Sequence, residues 1–265
     1  MKKFAVIPNL YKDPKLQLAT RIANMLAEDG KTADVITEKC GPDTLQGYDC
    51  AIVLGGDGTI LDIAKKAAFR GIPVAGVNLG KIGYLSSVEP DDIEKLLKID
   101  KDTPILKRMM LSLSYRGTEY PALNDIVISE EKATKMISVA VSVNKETISE
   151  YNSTSLIFST PTGSSGYNVS AGGPVIDPSI ECIAVTPVCP HTGTPHCFIF
   201  DRDTEFIAEN VSSADKKVIV TVDGGEDLRI DPGERVTVRR ADAYVRLLAF
   251  DGEYFTRKML RKLKI

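Results

Sequence analysis

Four short apolar runs punctuate the first hundred residues of the chain, at 3–8, 33–36, 51–54 and 73–77, and helical patterns separate them. After the first run, Asp13-Pro14 makes an N-cap and N1 pair. Leu16, Ala19, Ile22, Ala23 and Leu26 then share one face, and Gly30 stops the pattern. A second amphipathic stretch runs from Thr59 to Phe69. Strands joined through helices return in the same direction, so residues 1–100 are predicted as an α/β domain with a parallel sheet. In that architecture ligands bind beyond the carboxyl ends of the strands, where 55–59 and 78–85 would lie.

The period changes after residue 100. The segments 111–115, 125–129, 137–143, 156–159, 218–222 and 235–238 favour alternation of apolar and polar residues between Gly, Asn, Asp and Pro turns. This predicts a β-rich, sandwich-like domain over 101–240. The remaining 241–265 is expected to pack back on the body, with a short basic helix over 255–263 carrying Phe255, Met259, Leu260 and Leu263 on one side.

A chain of 265 residues can bury a substantial core, and a net charge of −3 with both signs mixed favours neither nucleic acid nor an anionic membrane as partner. No stretch approaches the ~20 apolar residues of a membrane span, and the N-terminal apolar run is too short for a signal peptide. Cys40, Cys50, Cys182, Cys189 and Cys197 show no C-x-x-C spacing, so free thiols and a cytoplasmic location are expected.

Residues 51–61 carry the first chemical signal: Ala-Ile-Val-Leu-Gly-Gly-Asp-Gly-Thr-Ile-Leu. Glycines between a strand and a helix let a phosphate approach backbone N–H groups, and the helix N-terminus adds partial positive charge. A carboxylate inside an anion cradle is costly unless it holds Mg²⁺ or accepts a proton, which points to phosphoryl transfer. A lone glycine-rich turn is more often a tight βα turn and nothing more. The second signal, Ser-Thr-Pro-Thr-Gly-Ser-Ser-Gly-Tyr-Asn-Val-Ser-Ala-Gly-Gly-Pro over 159–174, tips the balance towards function.

Together these residues resemble the NAD kinase family. Gly-Gly-Asp-Gly-Thr (55–59), Val-Asn-Leu-Gly-Lys-Ile-Gly-Tyr-Leu (77–85), Ala-Leu-Asn-Asp-Ile-Val-Ile (122–128) and Ser-Thr-Pro-Thr-Gly-Ser-Ser-Gly-Tyr (159–167) follow in the family's order. Ser-Ala-Gly-Gly-Pro (170–174) and Val-Asp-Gly-Gly (222–225) also fit. The resemblance implies an α/β domain plus a β-sandwich, working as a homodimer or homotetramer. It implies transfer of a phosphoryl group from ATP, with Mg²⁺ or another divalent cation, to the 2′-hydroxyl of the adenosine ribose of NAD. On this reading Gly55, Gly56, Gly58 and Thr59 bind phosphates, and Asp57 accepts the hydroxyl proton or holds the metal. Asn124 and Asp125 grip ribose hydroxyls and adenosine, unless they form only an Asx-turn at a strand entrance. Asn78 and Tyr84 line the dinucleotide site, though Tyr84 equally suits a core position. Ser159, Thr162, Ser164 and Ser165 bond adenine and phosphates, and Tyr167 stacks on a ring.

The chain departs from the family in places. Ser153-Thr154-Ser155 stands where the family carries Gly-Asp-Gly, so Thr154 replaces a carboxylate that contacts adenosine. A charged hydrogen bond of that kind is worth ~1.5–3 kcal/mol, and its loss predicts weakened dinucleotide binding. The family's Ser-Thr-Ala-Tyr reads Ser164-Ser165-Gly166-Tyr167, and its Arg-Pro near 196 reads His196-Cys197. Two alternatives stand beside this reading, the first motivated by the changes at 153–155 and 196. One is a non-catalytic NAD(P) sensor on a kinase-like fold. The other is a lipid or sphingoid-base kinase, supported only by the shared Gly-Gly-Asp-Gly-Thr.

Overall fold

The computed structural model describes residues 1–250 except 42, 82, 133–134, 192–195 and 226. The chain divides into two compact units. One is Met1–Arg108 with the described part of the segment from Ala243, and the other is Met109–Asp242. The expected helix over 255–263 lies outside the described residues.

In the first unit, β1 (Lys3–Pro8), α1 (Gln17–Glu28), β2 (Thr32–Val35), β3 (Cys50–Gly55), α2 (Asp57–Ala68) and β4 (Val74–Asn78) follow in sequence. The strands lie parallel in the order β2-β1-β3-β4, with Phe4 opposite Cys50 and Leu54 opposite Val77. Every residue of β3 and β4 is buried, as expected of a parallel sheet covered on both faces. Phe4, Val6, Ile52, Leu54 and Val77 pack with Ala19, Ile22 and Leu26 of α1 and with Ile93 and Leu96 of a 3₁₀ segment at Pro90–Lys98. In α2 the buried face is Ile60, Ile63, Ala64, Ala67 and Ala68.

Both helix starts differ from the sequence expectation. The first helix begins at Gln17, so Pro14 is not its N1 residue, and Leu16 is the N-cap in a left-handed conformation (φ 55°). Asp13 still supports the helix from a distance, its carboxylate accepting the Ala19 N–H at 2.9 Å. The second helix begins two residues earlier than Thr59, with Gly56 as N-cap, so Asp57 and Gly58 belong to its first turn.

In the second unit, β5 (Ile105–Tyr115, entering from the first unit), β6 (Thr118–Ala122), β7 (Asp125–Glu130), β8 (Ile137–Val143), β9 (Glu146–Ser153), β10 (Ser155–Ser159), the short α3 (Tyr167–Ser170), β11 (Cys182–Val188), β12 (Phe198–Asp201), β13 (Phe206–Asn210), β14 (Val218–Val222), β15 (Asp227–Ile230) and β16 (Arg235–Leu248) follow. One antiparallel sheet has the order β12-β11-β10-β7-β14-β15. In the other, β16, β13, β8 and β9 pair antiparallel in that order. Phe158 of β10 meets Phe206 of β13 with ring centroids 5.3 Å apart, and Phe200 of β12 meets Phe206 edge-on at 5.0 Å. These rings join the two sheets as a sandwich core.

Six strands of this unit lack a clear period-two signal, each for a local reason. Glu146–Ser153 is largely polar and exposed, and it pairs through a register shift at Val141/Ser142. Thr118–Ala122 contains Pro121, Cys182–Val188 is buried except at Val188, and the strands at 198, 206 and 227 span only four or five residues. The expected boundary at 240 falls inside β16.

Candidate functional site

The chemistry-bearing residues gather in two clusters, one in each unit. In the first unit β1 and β3 are parallel neighbours, so the loops that leave them lie side by side. Gly55 ends β3, and Gly56 turns the chain in an extended conformation (φ −91°, ψ 179°) without a side-chain cap. Among the described residues no acceptor takes the N–H groups of Gly56, Asp57 or Gly58. The first turn of a 12-residue helix therefore presents open donors and partial positive charge.

Asp57, half-buried in that turn, is held on both carboxylate oxygens. Oδ1 accepts the Leu85 N–H at 2.9 Å and Oδ2 the Tyr84 N–H at 3.2 Å. Each oxygen keeps a further lone pair. Thr59 Oγ1 accepts from Asn9 Nδ2 at 2.8 Å, fastening the loop after β1 to the first turn of α2. Asn78 serves the local fold: Oδ1 accepts the Gly80 N–H at 2.9 Å, and Nδ2 donates to Glu89 at 3.2 Å. Tyr84 is buried. Lys12 reaches the same turn from the loop after β1, donating from Nζ to the Leu79 carbonyl at 2.8 Å. A Cβ built on Gly56 would lie 3.0 Å from that ammonium.

The second cluster surrounds Asn124 and Asp125, where β6 gives way to β7. Asp223, in a left-handed turn (φ 52°), accepts N–H bonds from Leu123 at 2.8 Å, Asn124 at 2.7 Å and Asp125 at 3.1 Å. Burial, reinforced by the Asp223 carboxylate, pushes the Asp125 carboxyl up to about 7. The loop after β10 docks on the same corner. Thr160 Oγ1 donates to the Leu123 carbonyl at 2.6 Å, and the Thr160 N–H donates to the Asn124 carbonyl at 2.9 Å. Gly163 fits because it has no side chain; a Cβ there would stand 2.1 Å from the Asn124 carbonyl oxygen.

The hydroxyls of this loop are largely committed to the fold. Ser159 Oγ donates to the Thr160 carbonyl at 3.0 Å. Ser164 Oγ donates to the Pro161 carbonyl at 2.7 Å and accepts the Ile176 N–H at 2.8 Å. Thr162 and Ser165 are buried, whereas Tyr167 is exposed at the start of α3. Thr154 Oγ1 donates to the Val188 carbonyl at 3.0 Å. Buried Asn168 extends the network, donating to the Pro174 carbonyl at 2.9 Å and accepting from Thr186 at 2.6 Å.

Asp57, Gly55, Gly56, Gly58, Thr59, Asn78 and Tyr84 thus share the first cluster. Asn124, Asp125, Ser159, Thr162, Ser164 and Ser165 share the second, with Tyr167 at its edge. Asn9 and Lys12 belong to the first cluster without a motif of their own, and Thr160 belongs to the second from within the 159–167 motif, where it was given no role. The signal for Asn9 and Lys12 was topological, because adjacent parallel strands set them beside Gly56. Among the described residues no group of three or more His, Cys, Asp or Glu is arranged to hold a metal ion. Nor is any helix among them long and apolar enough to cross a membrane.

Comparison with known proteins finds matches that span both units. The family model described as the ATP-NAD kinase N-terminal domain matches residues 16–99, and that described as the ATP-NAD kinase C-terminal domain matches residues 123–250. A curated NAD kinase of Lachnoclostridium phytofermentans is 34% identical over 274 residues, covering 96% of each chain. One of Heliobacterium modesticaldum is 34% identical over 281 residues, covering 100% of this chain and 99% of its own. The crystal structure of an NAD kinase from Archaeoglobus fulgidus in complex with ATP matches with a TM-score of 0.82 at 26% identity, covering 99% of this chain and 98% of that one. Yeast NADH kinase complexed with NADH shares the fold, with a TM-score of 0.83 at 20% identity over all of this chain and 88% of that one.

Proposed function

The chain belongs to the NAD kinase family, and from that premise we infer how its residues divide the work of moving a phosphoryl group from ATP to NAD. The acceptor is the 2′-hydroxyl of the adenosine ribose. Its oxygen forms a bond to the γ-phosphorus as the bond to the β–γ bridging oxygen breaks, and ADP leaves with that electron pair. The hydroxyl proton goes to Asp57 or, with the carboxylate positioning it, to water. Such a reaction asks the protein mainly for positioning and charge neutralisation. The open N–H groups of Gly56, Asp57 and Gly58 are suited to phosphate oxygens, and the Tyr84 and Leu85 N–H groups hold the Asp57 carboxylate in one orientation. Asn124 and Asp125 bind ribose hydroxyls and adenosine, Tyr167 stacks on a ring, and Thr154 stands on the adenosine side.

A divalent cation fits this arrangement in a limited way. Asp57 offers free lone pairs, while the lack of a carboxylate cluster among the described residues leaves most ligands to phosphate oxygens and water, as suits Mg²⁺. When bound there, the ion supplies charge neutralisation on the donor phosphates.

We extend the reading to a homodimer or homotetramer in the cytoplasm. Exposed Phe198 and Ile199 on the edge strand β12, with exposed Ile180 just before its partner strand β11, support self-association. The free cysteines suit a reducing compartment. Neither the sensor nor the lipid-kinase alternative is favoured by the relatives.

The carrying observation is the Asp57 carboxylate, fixed by two backbone donors at the N-terminus of α2. NADP⁺ formation from NAD⁺, ATP and Mg²⁺ by the wild type, lost in Asp57→Asn, is the expected result. A well-folded wild type that binds NAD⁺ without turnover would overturn the reading.

A further inference from the structure

We propose that Lys12 is a catalytic residue of this chain, contacting non-bridging oxygens of the donor's terminal phosphates through its ammonium group. The proposal rests on the phosphoryl-transfer reading of the Gly55–Asp57 turn. Lys12 lies in the loop after β1. The Asn9 N–H donates to the Leu54 carbonyl at 2.8 Å, and the Lys12 N–H donates to the Asn9 carbonyl at 2.9 Å, so the loop is anchored to the end of β3. From there Nζ reaches across the glycine turn to the Leu79 carbonyl at 2.8 Å. Cβ atoms built on Gly56 and Gly80 would lie 3.0 Å and 3.7 Å from it. The ammonium therefore sits against the backbone whose open N–H groups the phosphoryl-transfer reading assigns to phosphate oxygens.

An ammonium has three donors, and Leu79 uses one. Among the described residues Lys12 forms no ion pair. The nearby carboxylates have other engagements: Asp57 with Tyr84 and Leu85, and Glu89 with Asn78. A cation with spare donors beside a helix N-terminus adds a full charge where the helix supplies a partial one. It neutralises charge on the phosphoryl group in flight and takes no part in proton transfer. The simpler role, a clamp on the Leu79 carbonyl, needs a hydrogen-bond donor and not a charge, so the two roles separate experimentally.

The test compares full-length wild type with Lys12→Ala, Lys12→Gln and Lys12→Arg. Steady-state NADP⁺ formation is measured with ATP and NAD⁺ varied in turn, and tripolyphosphate binding is followed by calorimetry. We expect Lys12→Ala and Lys12→Gln to lose roughly 10- to 100-fold in kcat/KM for ATP, the size of a lost charged hydrogen bond. The KM for NAD⁺ should stay within about threefold, and Lys12→Arg should recover most of the loss. Tripolyphosphate affinity should fall in Ala and Gln and hold in Arg. Unchanged kcat/KM for ATP, or full recovery by Gln, makes Lys12 only the clamp and overturns the proposal. A wild type that makes no NADP⁺ refutes the kinase reading instead, and tripolyphosphate binding still decides Lys12. If wild type and Lys12→Ala then bind it alike, or neither binds it, the proposal falls as well.

Discussion

Asp223 gives its carboxylate to the three N–H groups leading into Asp125, and so two acidic side chains share one corner of the second unit. The arrangement splits their roles. Asp223 fixes the backbone that presents Asn124, and Asp125 is left buried beside a negative neighbour, its carboxyl pushed up to about 7. A folded-state value above the unfolded one means that protonated Asp125 favours the fold. That contribution is complete below about pH 4 and is lost as pH rises through about 7. We expect Asp125→Asn to remove this part of the pH dependence, so that thermal melting between pH 5 and 8 is flatter than in the wild type. Parallel profiles for the two proteins would refute the assignment.

Asp57→Asn keeps the shape and one acceptor oxygen. The other position becomes an amide that faces a backbone N–H, leaving one donor unsatisfied at a cost of about 1–3 kcal/mol. If the carboxylate accepts the proton or holds the metal as proposed, kcat should fall by ~10²-fold or more with the fold intact. A fall of less than threefold in a protein with native circular dichroism would sink the role.

Thr154→Asp introduces the carboxylate that the family resemblance implies at the proposed adenosine side. Aspartate cannot donate to the Val188 carbonyl as Thr154 does at 3.0 Å, so its side chain must turn away from β11. We expect a KM for NAD⁺ lower by roughly tenfold, the value of one charged hydrogen bond. An unchanged or higher KM would mean that the pocket has been rebuilt around threonine.

Gly163→Ala puts a methyl where the Asn124 carbonyl already stands, at 2.1 Å, and neither partner is a flexible side-chain end. The loop after β10 must lift from the Asn124 corner, at an expected cost of about 1–3 kcal/mol in urea denaturation. NAD⁺ affinity should fall with it. A variant as stable as wild type would show that the loop tolerates displacement.

Legibility in the sequence followed the physics of each region. The parallel sheet was visible because strands buried on both faces read as unbroken apolar runs, as at Ala51–Leu54. Helix starts were less so: α2 begins at Asp57 through the glycine turn, whereas its apolar pattern begins only after Thr59. In the sandwich, Ile137–Val143 and Val218–Val222 stood out by alternation, but the edge strand Glu146–Ser153 has little apolar content to alternate. The glycine and hydroxyl motifs marked both clusters. Lys12 was invisible, since a lone surface lysine gains meaning only when β1 is known to lie beside β3.

The struts of the glycine turn span long stretches of sequence. Asn9 reaches Thr59 across 50 positions, Lys12 reaches Leu79 across 67, and Asp57 is held by Leu85 across 28. No local hairpin or isolated helix can prepare this turn. During synthesis a growing chain would gain phosphate affinity only after β4 and the residues up to 85 have emerged and folded, late relative to the glycines themselves. The onset of nucleotide binding by nascent chains would then mark the pairing of β4 with β3.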